Sequence, residues 1–421
     1  MKKTLIAVAA AAALTATSAF AEITFGAWLR VLATPVASTG KDVIAGVENS
    51  WGWGARTARI NINGTSEDGK AGFVMGVYND FESGLGQGDD AYLWVKPVDT
   101  VKVSVGKFDS PTNGLRGDFC YGSWNWLRPF NWVRDGEGLT FDGIWRSGLM
   151  VEADPMDGLH AFAVIPMSSS YKSAEETYRN IQVGFGYAIE GVGKLKAQFI
   201  GDYGYTTKKA KTGEYELDKY GKDTVVTKEK DAVAYDKDED SKTGQIGVAF
   251  DITAIENLYV TVGARFGIAD KDLEPGYLKM EFSAGASYQV SETMKFSVDG
   301  DYKQYQGKVL AGNDDSLFSV GAGVDFTVMD GLAAVADVRY MSNNYGKKGD
   351  DGAISFLVGV NKSVSSNGSL GIGFQGATNG CGLVINDGTG IQAGKSYTLG
   401  KDGGDGDEFV WAIPVSVSVF F

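Results

Sequence analysis

From Glu22 onward, apolar and polar side chains alternate residue by residue in one segment after another, and this period of two constrains the fold more than any other feature. The clearest segments are 258–268, 278–288, 294–305 and 318–328. In the second of these, Leu278, Met280, Phe282, Ala284, Ala286 and Tyr288 fall on one face, and Lys279, Glu281, Ser283, Gly285 and Ser287 on the other. A one-residue slip would turn Lys279 and Glu281 onto the apolar face, at about 2–4 kcal/mol for a lysine at mid-membrane, so the register is well determined. Connections alternate in length. Short ones fall at 64–70, 96–100, 153–158, 190–193, 253–257, 289–293, 329–331 and 362–368. Longer or more polar ones lie near 33–55, 80–90, 109–138, 166–179, 205–243, 269–277, 306–315, 341–351 and 377–408. Eight short and nine long connections predict an all-β, antiparallel up-and-down barrel of about eighteen strands with both chain ends on the short-turn side. Sixteen strands result if 159–165 or 91–96 is not one.

Composition fits that architecture. Glycine is abundant (58) and proline scarce (8), while aromatics make up 12%, as expected of many short strands, tight turns and aromatic girdles. No stretch after Glu22 is continuously apolar for the length of a spanning helix, and the mean hydropathy is −0.12. A membrane-spanning chain of this kind must close into a barrel, since lipid leaves no other way to satisfy the backbone. Before Glu22, Met1-Lys-Lys-Thr, the apolar run from Leu5 to Leu14 and Ala19-Phe20-Ala21 make the three parts of a secretory signal peptide. Cleavage there leaves 400 residues (421 minus 21) as one barrel domain. The net charge of −14 becomes −16 once Lys2 and Lys3 are removed, which offers no basic stripe and sets nucleic acid aside as a partner. Cys120 and Cys381 both fall in exported loops, where they either pair as a disulfide or stay as separate thiols. The stretch 208–242, dense in Lys, Asp and Glu, reads as a solvated external loop.

The last eleven residues place Trp411, Ile413, Val415, Val417, Val419 and Phe421 on one strand face, with Ala412, Pro414, Ser416 and Ser418 on the other. This ending resembles the C-terminal strand of bacterial outer-membrane β-barrels, whose terminal Phe after alternating apolar residues is recognised by the barrel-assembly machinery. The resemblance implies an outer-membrane location, surrounding lipid and that machinery as a partner. Pro414 cannot donate a ladder hydrogen bond, so a bulge or an unpaired carbonyl is expected beside it.

A barrel of sixteen or eighteen strands is wide enough for an aqueous channel, and function turns on what narrows it. The third long connection, 109–138, follows the fifth predicted strand and carries Arg116, Asp118, Arg128, Arg134, Asp135 and Glu137 among Phe119, Tyr121, Trp124, Trp126, Phe130 and Trp132. In place and length it resembles the inward-folded constriction loop of trimeric general porins, although the Pro-Glu-Phe-Gly-Gly run of enterobacterial porins is missing. The resemblance is therefore to porins broadly. It implies a homotrimer, passive diffusion of small hydrophilic solutes and no cofactor. The aromatics would pack the loop on the wall or form a track for sugar rings. Inward strand positions put Arg59, Arg146, Lys196, Arg265, Lys279, Lys295, Lys303 and Arg339 on the pore wall beside Asp142, Asp202, Glu281, Asp299, Asp301, Asp325 and Asp337, a small basic excess. Opposed charges there would set a transverse field that orients polar solutes.

A sugar- or anion-selective porin and a surface adhesin on a barrel scaffold are the rival functions. Catalysis finds no support: His160 is the one histidine, with no serine beside it in a nucleophile motif. No His or Cys cluster suits zinc, and the acidic segment 401–408 matches no full calcium loop.

Overall fold

Period-two segments pair with their chain neighbours all the way round in a computed structural model, which describes residues 22–38, 43–44, 58–79, 85–108, 146–167, 181–201, 215–217, 223–225, 243–269, 278–305, 316–342, 353–378, 383–384, 398–399 and 409–421. Eighteen strands form the staves of the barrel. They are β1 (Glu22–Ser38), β2 (Ala58–Thr65), β3 (Ala71–Asn79), β4 (Leu85–Val98), β5 (Val101–Phe108) and β6 (Arg146–Met156). Then come β7 (Leu159–Pro166), β8 (Gln182–Ile189), β9 (Gly193–Gly201), β10 (Thr243–Ile252), β11 (Leu258–Ala269) and β12 (Leu278–Ser291). The last six are β13 (Met294–Tyr305), β14 (Ser316–Met329), β15 (Leu332–Met341), β16 (Ala353–Ser365), β17 (Gly368–Ala377) and β18 (Val410–Phe420). Both segments whose strand character was in question, 91–96 and 159–165, are staves. The two-residue strand Val43–Ile44 pairs with the end of β1, and Tyr215–Leu217 pairs with Asp223–Val225 within the charged stretch 208–242.

The seam is made by the two ends of the chain. β18 pairs with β1 from Trp28↔Phe420 to Ser38↔Trp411. Phe421 extends it, its N–H donating to the Ala27 carbonyl (2.7 Å) and its carbonyl accepting from the Ala27 N–H (2.9 Å). Pro414 disturbs the seam as expected, but the irregularity lies on the partner strand: the β1–β18 register shifts between Ala33 and Val36, where Pro35 stands. On the other side, β17 keeps one register past Pro414. Two prolines facing one another remove two donors at one place, so a single bulge accommodates both.

Burial separates the faces as the alternation predicts. On β18, Val417 is exposed and Ala412, Pro414 and Ser418 are buried. On β12 and β13, Phe282, Phe296 and Val298 are exposed outward, while Glu281, Ser283, Ser297, Asp299 and Asp301 are buried on the inner face. A large exposed apolar band with a buried polar interior suits lipid outside and a polar lumen inside.

All eight short connections occur where predicted. Five of them close with two residues between paired strand ends, and each of those five is preceded by a register shift: Val95/Val98, Ala153/Met156, Gln289/Ser291, Thr327/Met329 and Ser363/Ser365. The bulges carry the strands further than turn chemistry alone suggested. In the Asp157-Gly158 and Asp330-Gly331 turns the glycine takes the left-handed φ, 79° and 70°, a conformation that costs other residues.

Candidate functional site: the inner wall of the barrel

Inward residues of β9 to β13 form a continuous polar sector. Lys196 stands between Gly186 on β8 and Ala249 on β10. With no side chain opposite on one side and a methyl on the other, it lies along the wall, fully buried. Its Nζ is 2.5 Å from Asp251 Oδ2, and Thr261 Oγ1 donates to Asp251 Oδ1 at 2.8 Å. An ammonium removed from water in this way needs both the carboxylate and that carboxylate's own donor.

Further round the wall, Arg265, Glu281 and Lys303 come from three adjacent strands in one lateral row. Glu281 Oε2 accepts from Arg265 Nη2 (2.5 Å) and Nε (2.8 Å), and its Oε1 lies 3.5 Å from Lys303 Nζ. The same ammonium is 3.4 Å from Asp301 Oδ2, while Ser283 Oγ donates to Asp301 Oδ1 at 2.7 Å. Two cations thus answer two carboxylates. Arg59 reaches over β3 to Asp90 on β4 (3.3 Å) and also donates to Asn61. Lys102 pairs with Glu152 at 2.8 Å, close to the short-turn end.

The predicted wall positions fall as follows. Arg59, Lys196, Arg265, Glu281, Asp299, Asp301 and Lys303 occupy inward rows, Lys295 sits directly opposite Asp325, and Asp337 opposite Gly323. Arg146 and Arg339 lie on β6 and β15, with backbones opposite Phe108 and Gly321, but their side chains are outside the described residues. So are Asp142, Asp202, the candidate constriction residues Arg116, Asp118, Arg128, Arg134, Asp135 and Glu137, and both cysteines.

Three expectations are corrected. Lys279 is not an ordinary wall residue: the β12–β13 register shifts between Leu278 and Met280, leaving Lys279 as the exposed extra residue. The same bulge turns Leu278 inward, where it is buried, and not onto the lipid face. The wall shows no basic excess among its described ion pairs, because Asp90, Glu152 and Asp251 each answer a basic group. In the sequence Asp90 falls within the long connection 80–90, and Glu152 and Asp251 lie beside the short ones at 153–158 and 253–257. Finally, apolar-out, polar-in breaks down over part of β4 to β7. Phe108, Met150, Phe162 and Val164 form a cluster on the inner face, at most 4% exposed, with Tyr92 packed against it, its ring 5.2 Å from that of Phe108. Gly184 makes room for Phe162, whose ring a Cβ there would meet at 2.7 Å. The readable signal is Leu149-Met150-Val151 and the run from Ala161 to Ile165, apolar at both parities.

Among the described residues no group of three or more His, Cys, Asp and Glu is arranged to hold a metal ion. The lateral ion pairs are chemistry for a wet wall. A family model described as a porin subfamily matches residues 219–367, and the region it covers contains the charged rows of β10 to β13. Over those residues the chain is similar to porins. An anion-selective porin from Comamonas acidovorans shares its fold at 17% identity, over 95% of this chain and 100% of that one, with a TM-score of 0.52. OprD of Pseudomonas aeruginosa is more distant, at 10% identity over 96% of each chain and a TM-score of 0.48. Among curated protein sequences nothing matches this chain.

Proposed function

We propose that this chain is an outer-membrane porin and a general diffusion channel, passing small hydrophilic solutes down their gradients with weak preference for charge. The observation that supports this reading is the compensation of the inner wall: Arg59 with Asp90, Lys102 with Glu152, Lys196 with Asp251, and Arg265 and Lys303 with Glu281 and Asp301. Where each sign is answered locally, the lumen keeps a high density of polar groups without a net field favouring one ion. For that reason the anion selectivity in the Comamonas protein's name is not carried over. In planar bilayers the purified porin should give large ohmic steps with a K+ to Cl− permeability ratio near one. Blockade by one sugar would overturn the general reading in favour of a selective channel. Folded protein giving no steps would favour a surface role.

The connection 109–138 is the proposed constriction, and its carboxylates Asp118, Asp135 and Glu137 the groups that set its charge. Replacing all three by their amides should move the reversal potential toward anion preference, and an unchanged value would remove the loop from the narrowest point. A homotrimer is the proposed assembly, as the resemblance to trimeric porins implies, and mass measurement in detergent tests it. Removal of the first 21 residues predicts a purified chain beginning at Glu22. The terminal face of Trp411, Ile413, Val415, Val417, Val419 and Phe421 is the proposed assembly signal, so that deleting Phe421 should lower the yield of folded barrel in the membrane.

A further inference from the structure

Tyr92 and Trp94 stand on the inner face of β4, while Leu93 and Val95 between and beyond them are exposed on the outer one. Both rings are half-buried. Trp94 is opposite Gly72 on β3, and the indole leans over that strand because no side chain is in the way: a Cβ on Gly72 would meet its ring at 2.5 Å. Toward the short-turn mouth, Lys96 Nζ lies 6.0 Å from the centre of the Trp94 ring, and from β5 Lys102 Nζ lies 5.8 Å from that of Tyr92. The two ammoniums differ. Lys102 is paired with Glu152 at 2.8 Å, whereas Lys96 makes no ion pair among the described residues. It is a local exception to the compensated wall.

We propose that Trp94 and Lys96 form a retention subsite on the pore wall for small solutes that join a planar ring to a carboxylate, an inference that rests on the channel reading above. The solute's ring stacks on the indole, offset as aromatic quadrupoles prefer, and its carboxylate accepts from the Lys96 ammonium. The 6.0 Å between indole centre and ammonium matches the span from such a ring's centre to its carboxylate plus one hydrogen bond. At that distance the lysine's hold on the indole is at the weak limit of a cation–π contact, so a carboxylate arriving there displaces little and breaks no ion pair. Tyr92 offers no equivalent site. Its neighbour Lys102 is held by Glu152, and its ring packs against Phe108. No covalent bond forms or breaks: the subsite delays these solutes and raises their local concentration at the mouth. A simple carboxylate lacks the ring, and a sugar lacks the charge, so each can use only half of it.

The test is the open-channel current of the full-length protein in planar bilayers at neutral pH and dilute KCl, where screening is weak, titrated with potassium benzoate and in parallel with potassium acetate or glucose. Benzoate should reduce the current at concentrations where acetate and glucose do not. Trp94→Ala should raise the half-blocking benzoate concentration about fivefold, and Trp94→Phe, which keeps a ring, should stay within about twofold. Lys96→Gln, which leaves the indole in place, should raise it about threefold. Equal block by acetate or by glucose in the wild type overturns the proposal. A half-blocking concentration unchanged in either Trp94→Ala or Lys96→Gln overturns it as well, and if Trp94→Ala folds poorly Lys96→Gln decides alone. Open channels that benzoate does not block overturn this inference and leave the channel reading standing. Folded wild type giving no steps overturns both.

Discussion

Burying Lys196 completely takes an ammonium out of water, and the wall tolerates it only because Asp251 is 2.5 Å away and itself held by Thr261. Replacing Asp251 by alanine should therefore cost about 3–5 kcal/mol, since the charge stays buried without its partner. The double replacement Lys196→Met, Asp251→Leu should fall within about 1 kcal/mol of the wild type. Urea midpoints of the refolded barrel in vesicles would separate the two. Asp68 illustrates the opposite case, an exposed carboxylate in the β2–β3 turn. Ser66 Oγ and the Lys70 N–H both donate to its Oδ1, at 2.6 and 3.0 Å, and these bonds hold its pKa below the usual 3.8. A depressed carboxylate contributes stability above its unfolded value and loses it as pH falls through the folded one. Asp68→Asn should thus unfold at lower urea than the wild type at pH 7, and the gap should close below pH 3.8. A gap that stays constant to pH 2 would mean the turn does not depend on the ionised form.

At the scale of the strand, parity is what the chain encodes most firmly. Val298 lies outward near the middle of β13, and Val290 outward near the short-turn end of β12. Arginine at Val298 should cost about 2–4 kcal/mol and at Val290 about 0–1, because the penalty follows depth in the bilayer. Equal costs would show that the two positions do not differ in depth as the barrel frame requires. Strand ends are less legible than strand centres. The turns of β4–β5, β6–β7, β12–β13, β14–β15 and β16–β17 are all entered through bulges, and a bulge is a pairing irregularity without a residue signature of its own. That is why Glu152 and Asp154 read from sequence as turn or turn-edge residues yet stand on β6, one paired with Lys102 and the other with His160.

For the molecule as a whole, closure converts eighteen marginal ribbons into a sheet without edges, with β18 pairing with β1 over nearly its full length. It also brings charges from different strands into lateral rows around one lumen. Removing Arg265 leaves Glu281 and Asp301 with Lys303 alone. Arg265→Gln should raise the K+ to Cl− ratio about twofold by the loss of one positive charge from the wall. Reversal potentials in a salt gradient measure it, and no change would place this row away from the ion path.

The sequence by itself determined the barrel, its inside and outside and the two ends that close it, and left sixteen or eighteen staves. Each of those follows from local alternation and from the lengths of connections, which neighbouring residues display without help from the rest of the chain. Only the tertiary structure decided which charges meet. Arg59 and Asp90 are separated by a whole strand and two connections, and Lys196 and Asp251 by a long loop, so no local pattern links them. The inward apolar cluster around Phe108 and the displaced Lys279 have the same origin: register between strands, with its bulges, is a property of pairing and not of any one strand.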